Sequence, residues 1–168
     1  MKKILANSKN YNSAIKRAYS DIYFIIIHYT AGRGDTAEGE GNYFHNNVVM
    51  ASANYFVGRD GTVVLSVPLS HTAYSVGGRK YSDCRETGGG KMYGIIRNAN
   101  SVSIELCDNL DKDPSEAQIE AVKGLIKHIK RYCKNIKGIY RHFDVNGKHC
   151  PVRMMDNKRW KDFQEKIK

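Results

Sequence analysis

The sequence has no long apolar run and no recognisable secretion signal. Its longest uninterrupted apolar stretch is IYFIII at 22–27, far short of the roughly 18 residues that a membrane-spanning helix requires. The start, MKKILANSKNYNSAIKR, holds only a three-residue apolar patch, which is too short for the hydrophobic core of a secretory signal. We therefore expect no membrane span and no export by the general secretory route.

Cysteine and proline are also scarce. The four cysteines, Cys84, Cys107, Cys133 and Cys150, show no C-x-x-C pairing, so we expect free thiols rather than a disulfide framework. The 168 residues include only 3 prolines against 15 glycines, with a hydrophobic share of 41%, as is typical of a soluble globular domain. Since no repeat or linker interrupts the chain, residues 1–168 are expected to form a single domain.

Acidic residues are outnumbered by basic ones. Lys and Arg total 27 against 17 Asp and Glu, a formal net charge of +10, which would draw the protein toward a polyanion. Nucleic acid, an anionic membrane and an anionic bacterial wall all fit such a charge. The basic residues are spread along the chain rather than gathered in one arginine-rich tract, so charge alone does not choose among these partners.

Strand-like and helix-like segments alternate along the chain. Runs rich in β-branched and aromatic residues predict buried strands at 22–27 and 102–106, and a short strand at 138–142. NYFV at 54–57 and TVVLSV at 62–67 flank an Arg-Asp-Gly turn and predict a β-hairpin. With helices interspersed, this order predicts an α/β fold in which helices flank the sheet.

Three helices and one long loop complete the prediction. The clearest helix is expected to begin with Asp113 as N-cap, Pro114 at its first position and Glu116 at its third. Its predicted apolar face consists of Ile119, Val122, Ile126, Ile129 and Cys133. Other helices are expected around 42–49, after a glycine-rich loop, and at 156–167. The glycine-rich stretch 77–94 is either a loop that lines a substrate site or a surface excursion.

Two histidines stand where predicted strands end. His28 follows the strand at 22–27 and His142 closes the strand at 138–142. The edge where strands end is where α/β sheets commonly hold ligands. With Cys150 these residues make three candidate zinc ligands, leaving the fourth position to water. Since a histidine at a strand end is more often structural, the residues alone leave both interpretations open.

Two charged residues could complete a hydrolytic site. Glu105 lies in an otherwise apolar strand, where a carboxylate is costly to bury without a partner. It is either a general base for water or an acid in a salt bridge or facing solvent. Lys148, two residues before Cys150, either brings a positive charge to a developing oxyanion or is a solvated loop lysine.

Five ordered motifs carry a family resemblance. They are IIIHYTAG around His28, SANYFVGRDG at 52–61, AYSVGG at 73–78, NANSVSIEL at 98–106 and RHFDVNGKHCP at 141–151. Across residues 23–151 they resemble the successive signatures of the zinc-dependent N-acetylmuramoyl-L-alanine amidases, which include phage endolysins and the peptidoglycan recognition proteins. The resemblance implies a central mixed sheet with helices on its faces, and a shallow peptidoglycan groove over one zinc ion.

The resemblance also assigns roles by position. His28, His142 and Cys150 match the metal ligands, Glu105 matches the acid/base of many members, and Lys148 matches the lysine near the metal. The implied reaction is hydrolysis of the amide that joins the lactyl group of N-acetylmuramic acid to L-alanine.

One assignment is tied to a strand position. Tyr55 matches a tyrosine that some members use beside the zinc and is therefore a third candidate catalytic residue. It alternates with Phe56 along its strand, so one of the two is expected to face the groove. The chain departs from many relatives at 73–75, where AYS replaces a histidine-containing AWH, and at Asn54, where relatives often carry histidine.

The resemblance implies partners and a location as well. The expected partner is bacterial peptidoglycan, with anionic wall polymers as further partners for the positive charge, and the protein is expected to be monomeric. It would be made in the cytoplasm and reach the wall after release or holin-type export, as a phage or prophage endolysin or an autolysin. The alternatives are a non-catalytic peptidoglycan-binding module of the same fold and a basic nucleic-acid-binding protein. The complete ligand set disfavours the first, and the absence of a recognition-helix or aromatic-basic signature disfavours the second.

Overall fold

A six-stranded mixed sheet forms the centre of the computed structural model, which describes residues 1–168. The strands are β1 (Lys2–Lys3), β2 (Tyr11–Lys16), β3 (Phe24–Tyr29), β4 (Tyr55–Val57), β5 (Val63–Leu65), β6 (His71–Ala73), β7 (Ser101–Leu106) and β8 (Gly138–Arg141). Their order in the sheet is β1-β5-β4-β7-β3-β8, with only the β4–β5 pair antiparallel. β2 and β6 form a separate antiparallel pair. The predicted α/β fold with a central mixed sheet is confirmed.

Helices cover both faces of this sheet. They are α1 (Ala37–Asn46), α2 (Cys84–Thr87), α3 (Glu116–Tyr132), α4 (His142–Asn146) and α5 (Asn157–Lys166). α3 and α5 pack on one face, where the predicted apolar side of α3 joins strand isoleucines and Trp160 in the largest apolar cluster. α1 and α4 lie on the other face, against Phe56 and Ile26 respectively. None of the helices combines the length and apolar character needed to cross a membrane.

Two predicted helix starts are wrong. α3 is capped by Ser115, whose hydroxyl accepts a hydrogen bond from the Gln118 backbone N–H, whereas Asp113 is drawn into ion pairs with Arg153 and Arg159. Both Asp and Ser are good N-caps, so the ion pairs of Asp113 explain why Ser115 caps the helix.

The first helix also begins earlier than predicted. Thr36 caps α1 by accepting a hydrogen bond from the Gly39 backbone N–H, so part of the expected glycine-rich loop is helical. Gly41 lies in this helix because it packs closely against the sheet: a Cβ there would come within 3.0 Å of Val64 and 3.2 Å of Ile4. The glycine is therefore used for close approach, although glycine generally disfavours a helix.

The segment after β8 is helical rather than an open loop. β8 ends at Arg141, and the residue predicted to close the strand, His142, begins α4 instead. The Arg141 backbone N–H and guanidinium both donate to the Asp144 carboxylate, which stabilises this short helix. Gly147, at φ +90°, ends it. The hairpin of β4 and β5 is confirmed, and all four cysteines are free as predicted.

Candidate active site

The register of three adjacent strands decides which side chains reach the cleft on the α1 and α4 face. His28 in β3 pairs with Glu105 in β7, and Glu105 pairs with Phe56 in β4. Residues directly opposite in neighbouring strands point to the same side of the sheet. All three therefore line one cleft of about 220 Å³, together with His142, Lys148 and Cys150.

His142 and Cys150 reach this cleft from the segment that follows β8. His142 is the first residue of α4, and Cys150 lies beyond the Gly147 turn. The Phe143 backbone N–H donates to the Cys150 carbonyl over 2.9 Å, which closes the turn and brings both side chains to one place.

The three candidate ligands are buried and close together. The ring centroids of His28 and His142 are 4.7 Å apart, and Cys150 Sγ lies 3.7 Å from His28 Nδ1. One donor atom from each residue lies within 4.8 Å of the other two. Their convergence, which the sequence suggested only by spacing and resemblance, is a geometric fact of the fold.

Several polar atoms at this point have no partner in the protein. His28 Nε2, both ring nitrogens of His142 and Glu105 Oε2 are buried without a hydrogen bond. Buried polar atoms are nearly always paired, and each unpaired one is costly. A cation bound between the imidazoles and the sulfur would take one nitrogen from each ring, and two nitrogens with one sulfur form a donor set that suits zinc. The residues fit a zinc ion.

Burial sets the protonation of these ligands. It lowers the pKa of His28 well below the usual value, and the adjacent His142 lowers it further. The pKa of His142 falls to about 3 through burial and the nearby Lys148 charge. Both imidazoles are therefore neutral, the form that binds a metal. Burial raises the pKa of the Cys150 thiol, so its thiolate form requires a bound cation.

Glu105 and Lys148 both lie at this cleft. Glu105 Oε1 is 3.8 Å from His28 Nδ1, and the Glu105 side chain is 19% exposed. Burial raises the pKa of Glu105 to about 8, against the lowering effect of the Lys148 charge. Lys148 lines the cleft with its backbone held by the Asn146 side chain. A partly exposed carboxylate and an ammonium group thus accompany the two histidines and the cysteine.

Tyr55 does not reach the cleft, so its assignment as a catalytic residue is wrong. It pairs with Ile104 rather than Glu105, which turns its side chain to the opposite face. There it is 1% exposed within the cluster that contains α3. Phe56, the next residue, lines the cleft instead. The side chain of β4 beside Glu105 is therefore the apolar ring of Phe56, whereas the resemblance had placed the Tyr55 hydroxyl group there.

The sequence interpretation missed Glu40, a second carboxylate of the cleft. Glu40 lies in α1 and lines the same cavity as Glu105. Burial raises the pKa of Glu40, and Asp35 raises it further. The signal was hidden because Glu40 falls in the stretch that was predicted to be a glycine-rich loop.

The structure shows where the positions lie at which the sequence departs from many relatives. Tyr74 and Ser75 line the cleft, so the loss of a histidine at 73–75 changes its wall but not the candidate ligands. Asn54 is buried, and its side chain bonds the Val67 carbonyl and the Ser103 backbone N–H. Asn54 therefore ties β4 to β7 and has no part in the cleft.

Comparison with known proteins identifies the family. Residues 18–153 match the model of the family described as N-acetylmuramoyl-L-alanine amidase. The chain is 30% identical over 153 residues to the N-acetylmuramoyl-L-alanine amidase BlyA of Bacillus subtilis (strain 168). It is 28% identical over 150 residues to the amidase CwlL of Bacillus licheniformis. The chain belongs to the N-acetylmuramoyl-L-alanine amidase family. Each alignment covers 85% of this chain and 40% of the relative, so the chain spans about two fifths of the length of these curated relatives.

Solved structures share the fold. PlyL superimposes with a TM-score of 0.72 at 22% identity, covering 100% of this chain and 96% of that chain. The catalytic domain of XlyA gives a TM-score of 0.70 at 23% identity, covering 99% and 98% respectively. At these identities the likeness shows the fold alone.

Proposed function

We propose that this protein is a zinc-dependent peptidoglycan hydrolase, an endolysin or autolysin, that cleaves the amide between N-acetylmuramic acid and L-alanine. The observation that carries the proposal is the buried cluster of His28, His142 and Cys150, with the Glu105 carboxylate 3.8 Å from His28 Nδ1. Family membership supports the reaction, because BlyA and CwlL are named as amidases of this bond.

The proposed ligands are His28, His142 and Cys150, with one zinc ion per chain. Zinc, when bound, supplies a Lewis acid that polarises a carbonyl group and makes water more acidic. The protein prepares this site by keeping both imidazoles neutral through burial. The cleft walls, which include Phe56, limit water access and so strengthen electrostatic interactions there.

Glu105 is proposed to move the proton. In hydrolysis, the Glu105 carboxylate takes a proton from the attacking water and gives it to the L-alanine nitrogen as the C–N bond breaks. The products are the lactyl carboxylate and a free amino group. Burial raises the pKa of Glu105 to about 8 even with the lowering effect of Lys148, and the positive charge of a bound zinc ion would favour the ionised form that accepts the proton. The Lys148 ammonium is proposed to stabilise negative charge on the carbonyl oxygen.

The products of digestion test this function. Cleavage at the lactyl amide must create new L-alanine amino groups and leave the glycan strands intact. Purified cell wall should therefore release amines without new reducing ends, as measured by mass spectrometry of the muropeptides and a reducing-sugar assay. New reducing ends instead of amines would indicate a glycosidase. No product from protein with a full complement of zinc would indicate a binding module.

The positive charge is proposed to recruit the protein to anionic wall polymers. Lys123, Lys127 and Lys130 recur on one side of α3, on the sheet face opposite the cleft, and the ion pairs of α3 and α5 leave them unpaired. Exposed charges are screened over a few ångströms at about 0.5 M salt. Lysis of intact cells should therefore weaken strongly between low salt and about 0.5 M, while cleavage of a small soluble muropeptide changes much less. Equal salt sensitivity in the two assays would contradict recruitment by charge.

A further inference from the structure

Residues 77–81, the start of the glycine-rich segment 77–94, form one wall of a groove that continues from the cleft. This groove has a volume of about 470 Å³ and shares Tyr74, Ser75, His142 and Lys148 with the cleft. Its remaining wall includes Arg79 and Lys80. The sequence left open whether this segment lines a substrate site or is a surface excursion, and the structure supports the first interpretation.

The loop is fixed relative to the candidate ligands. The Tyr81 backbone N–H donates to the Asn146 carbonyl over 2.8 Å, and the Gly90 N–H donates to the Phe143 carbonyl over 2.9 Å. Both acceptors belong to α4, the helix that begins with His142. The Asn146 side chain also donates to the Gly77 carbonyl. The groove is therefore built on the same helix as the proposed zinc site.

Charge differs between the two ends of this continuous depression. The groove is lined by three cationic side chains, Arg79, Lys80 and Lys148, and its lining contains no Asp or Glu. The cleft, in contrast, is lined by the carboxylates of Glu40 and Glu105, with Lys148 at the boundary. A ligand that spans both would be oriented with its anionic part toward Arg79 and Lys80.

The substrate of the proposed reaction has the matching asymmetry. The lactyl carboxyl of the muramic acid is consumed in the scissile amide, so the sugar side offers hydroxyl and N–H groups but no free carboxylate. All free carboxylates lie in the stem peptide, beyond the L-alanine nitrogen. The first of them, the α-carboxylate of the second residue, follows L-alanine by one residue, or about 3.8 Å of chain.

We propose that Arg79 and Lys80 bind the α-carboxylate of the second stem-peptide residue and so make the protein selective for stems in which this group is not amidated. This inference rests on the proposed amidase function and adds a specificity determinant to it. It also fixes the direction of binding: the peptide lies along the groove of Arg79 and Lys80, and the sugar lies toward Glu40.

A matched pair of substrates tests the inference. N-Acetylmuramoyl-L-alanyl-D-isoglutamate and its D-isoglutamine counterpart, both blocked as γ-methylamides, differ only by an α-carboxylate in place of an α-amide. The unaltered protein should cleave the isoglutamate form with about tenfold higher kcat/KM, chiefly through a lower KM, because two exposed cations contribute modestly to binding of the carboxylate. The double variant R79Q/K80Q should lose this preference.

A control in the same loop separates position from net charge. Arg85 and Lys91 are exposed and lie outside the groove lining, so R85Q/K91Q removes the same charge and should keep the full preference. Equal cleavage of both substrates by the unaltered protein, or equal loss of preference in both double variants, would overturn the inference while leaving the amidase function intact.

Binding provides a readout that does not depend on turnover. Calorimetric titration of zinc-loaded Glu105→Gln with each dipeptide should show tighter binding of the isoglutamate form, and adding R79Q/K80Q should abolish the difference. If neither substrate nor whole cell wall is cleaved, the proposed amidase function is wrong, but the calorimetric comparison still shows whether the groove binds the α-carboxylate. Equal affinity for the two dipeptides would contradict recognition of this carboxylate by Arg79 and Lys80.

Discussion

Replacing Glu105 with glutamine is expected to lower turnover by about 10²- to 10⁴-fold, the usual contribution of a general base. The amide keeps the size of the side chain but cannot accept the proton that water must lose. Glu105 is not a proposed ligand and its Oε2 lacks a hydrogen bond, so zinc content and fold should be unchanged. Release of L-alanine amines per mole of zinc-loaded protein measures the loss.

Tyr55→Phe is a suitable control for this experiment. Tyr55 packs in the core on the opposite side of the sheet, so loss of its hydroxyl should leave turnover within a few-fold of normal. If Glu105→Gln stays fully active, Glu105 is a structural acid and another group handles the proton. Full loss of activity in Tyr55→Phe, with the fold and zinc content retained, would reverse the exclusion of that residue.

The strands that hold the site were the most predictable part of the fold. β3 is a continuous run of β-branched and apolar residues up to His28, the pattern of a strand buried on both faces, whereas β7 alternates apolar residues with Ser101, Ser103 and Glu105. His28 and Glu105 are conspicuous in these buried strands, because polar groups there need a partner or a function. Their direct pairing across the two strands could not be predicted, since register depends on tertiary packing.

Register also explains the error at Tyr55. Side chains alternate with period two, so a shift of one residue exchanges the two faces of a strand. Both Tyr55 and Phe56 are aromatic and nearly fully buried, and nothing in their local sequence marks one as facing the cleft. The pairing of Phe56 with Glu105 determines that Phe56, and not Tyr55, faces the cleft.

The short and polar elements escaped prediction for a different reason. β2 is largely exposed and pairs only with the three-residue strand β6, so it has no apolar pattern to recognise. α4 has only five residues, too few to be stable by propensity alone. It depends on the contact between Arg141 and Asp144 and on the loop packed against it. Such elements are fixed by tertiary contacts that a single sequence does not reveal.

Replacing Cys150 with serine is expected to weaken zinc binding by more than the roughly 10- to 100-fold that changes outside the ligand set cause. A serine hydroxyl has a much higher pKa than a thiol and remains neutral, so the site loses the anionic ligand that a bound cation stabilises. Without its metal the variant should also lose amide hydrolysis. Competition with a chromophoric chelator measures the affinity, and metal analysis after dialysis measures the zinc content.

Cys84→Ser provides the matched control for this loss. Cys84 is also buried, and its thiol donates to the Asn146 carbonyl, a bond that a hydroxyl can replace, so its zinc affinity should stay close to normal. Because Cys84 contacts the end of α4, this variant also tests whether small changes around that helix disturb the site indirectly. Zinc bound as tightly by Cys150→Ser as by Cys84→Ser, with activity retained, would remove Cys150 from the ligand set. The two histidines would then need a different third ligand, and Glu105, 3.8 Å from His28, would be the nearest carboxylate to take that place.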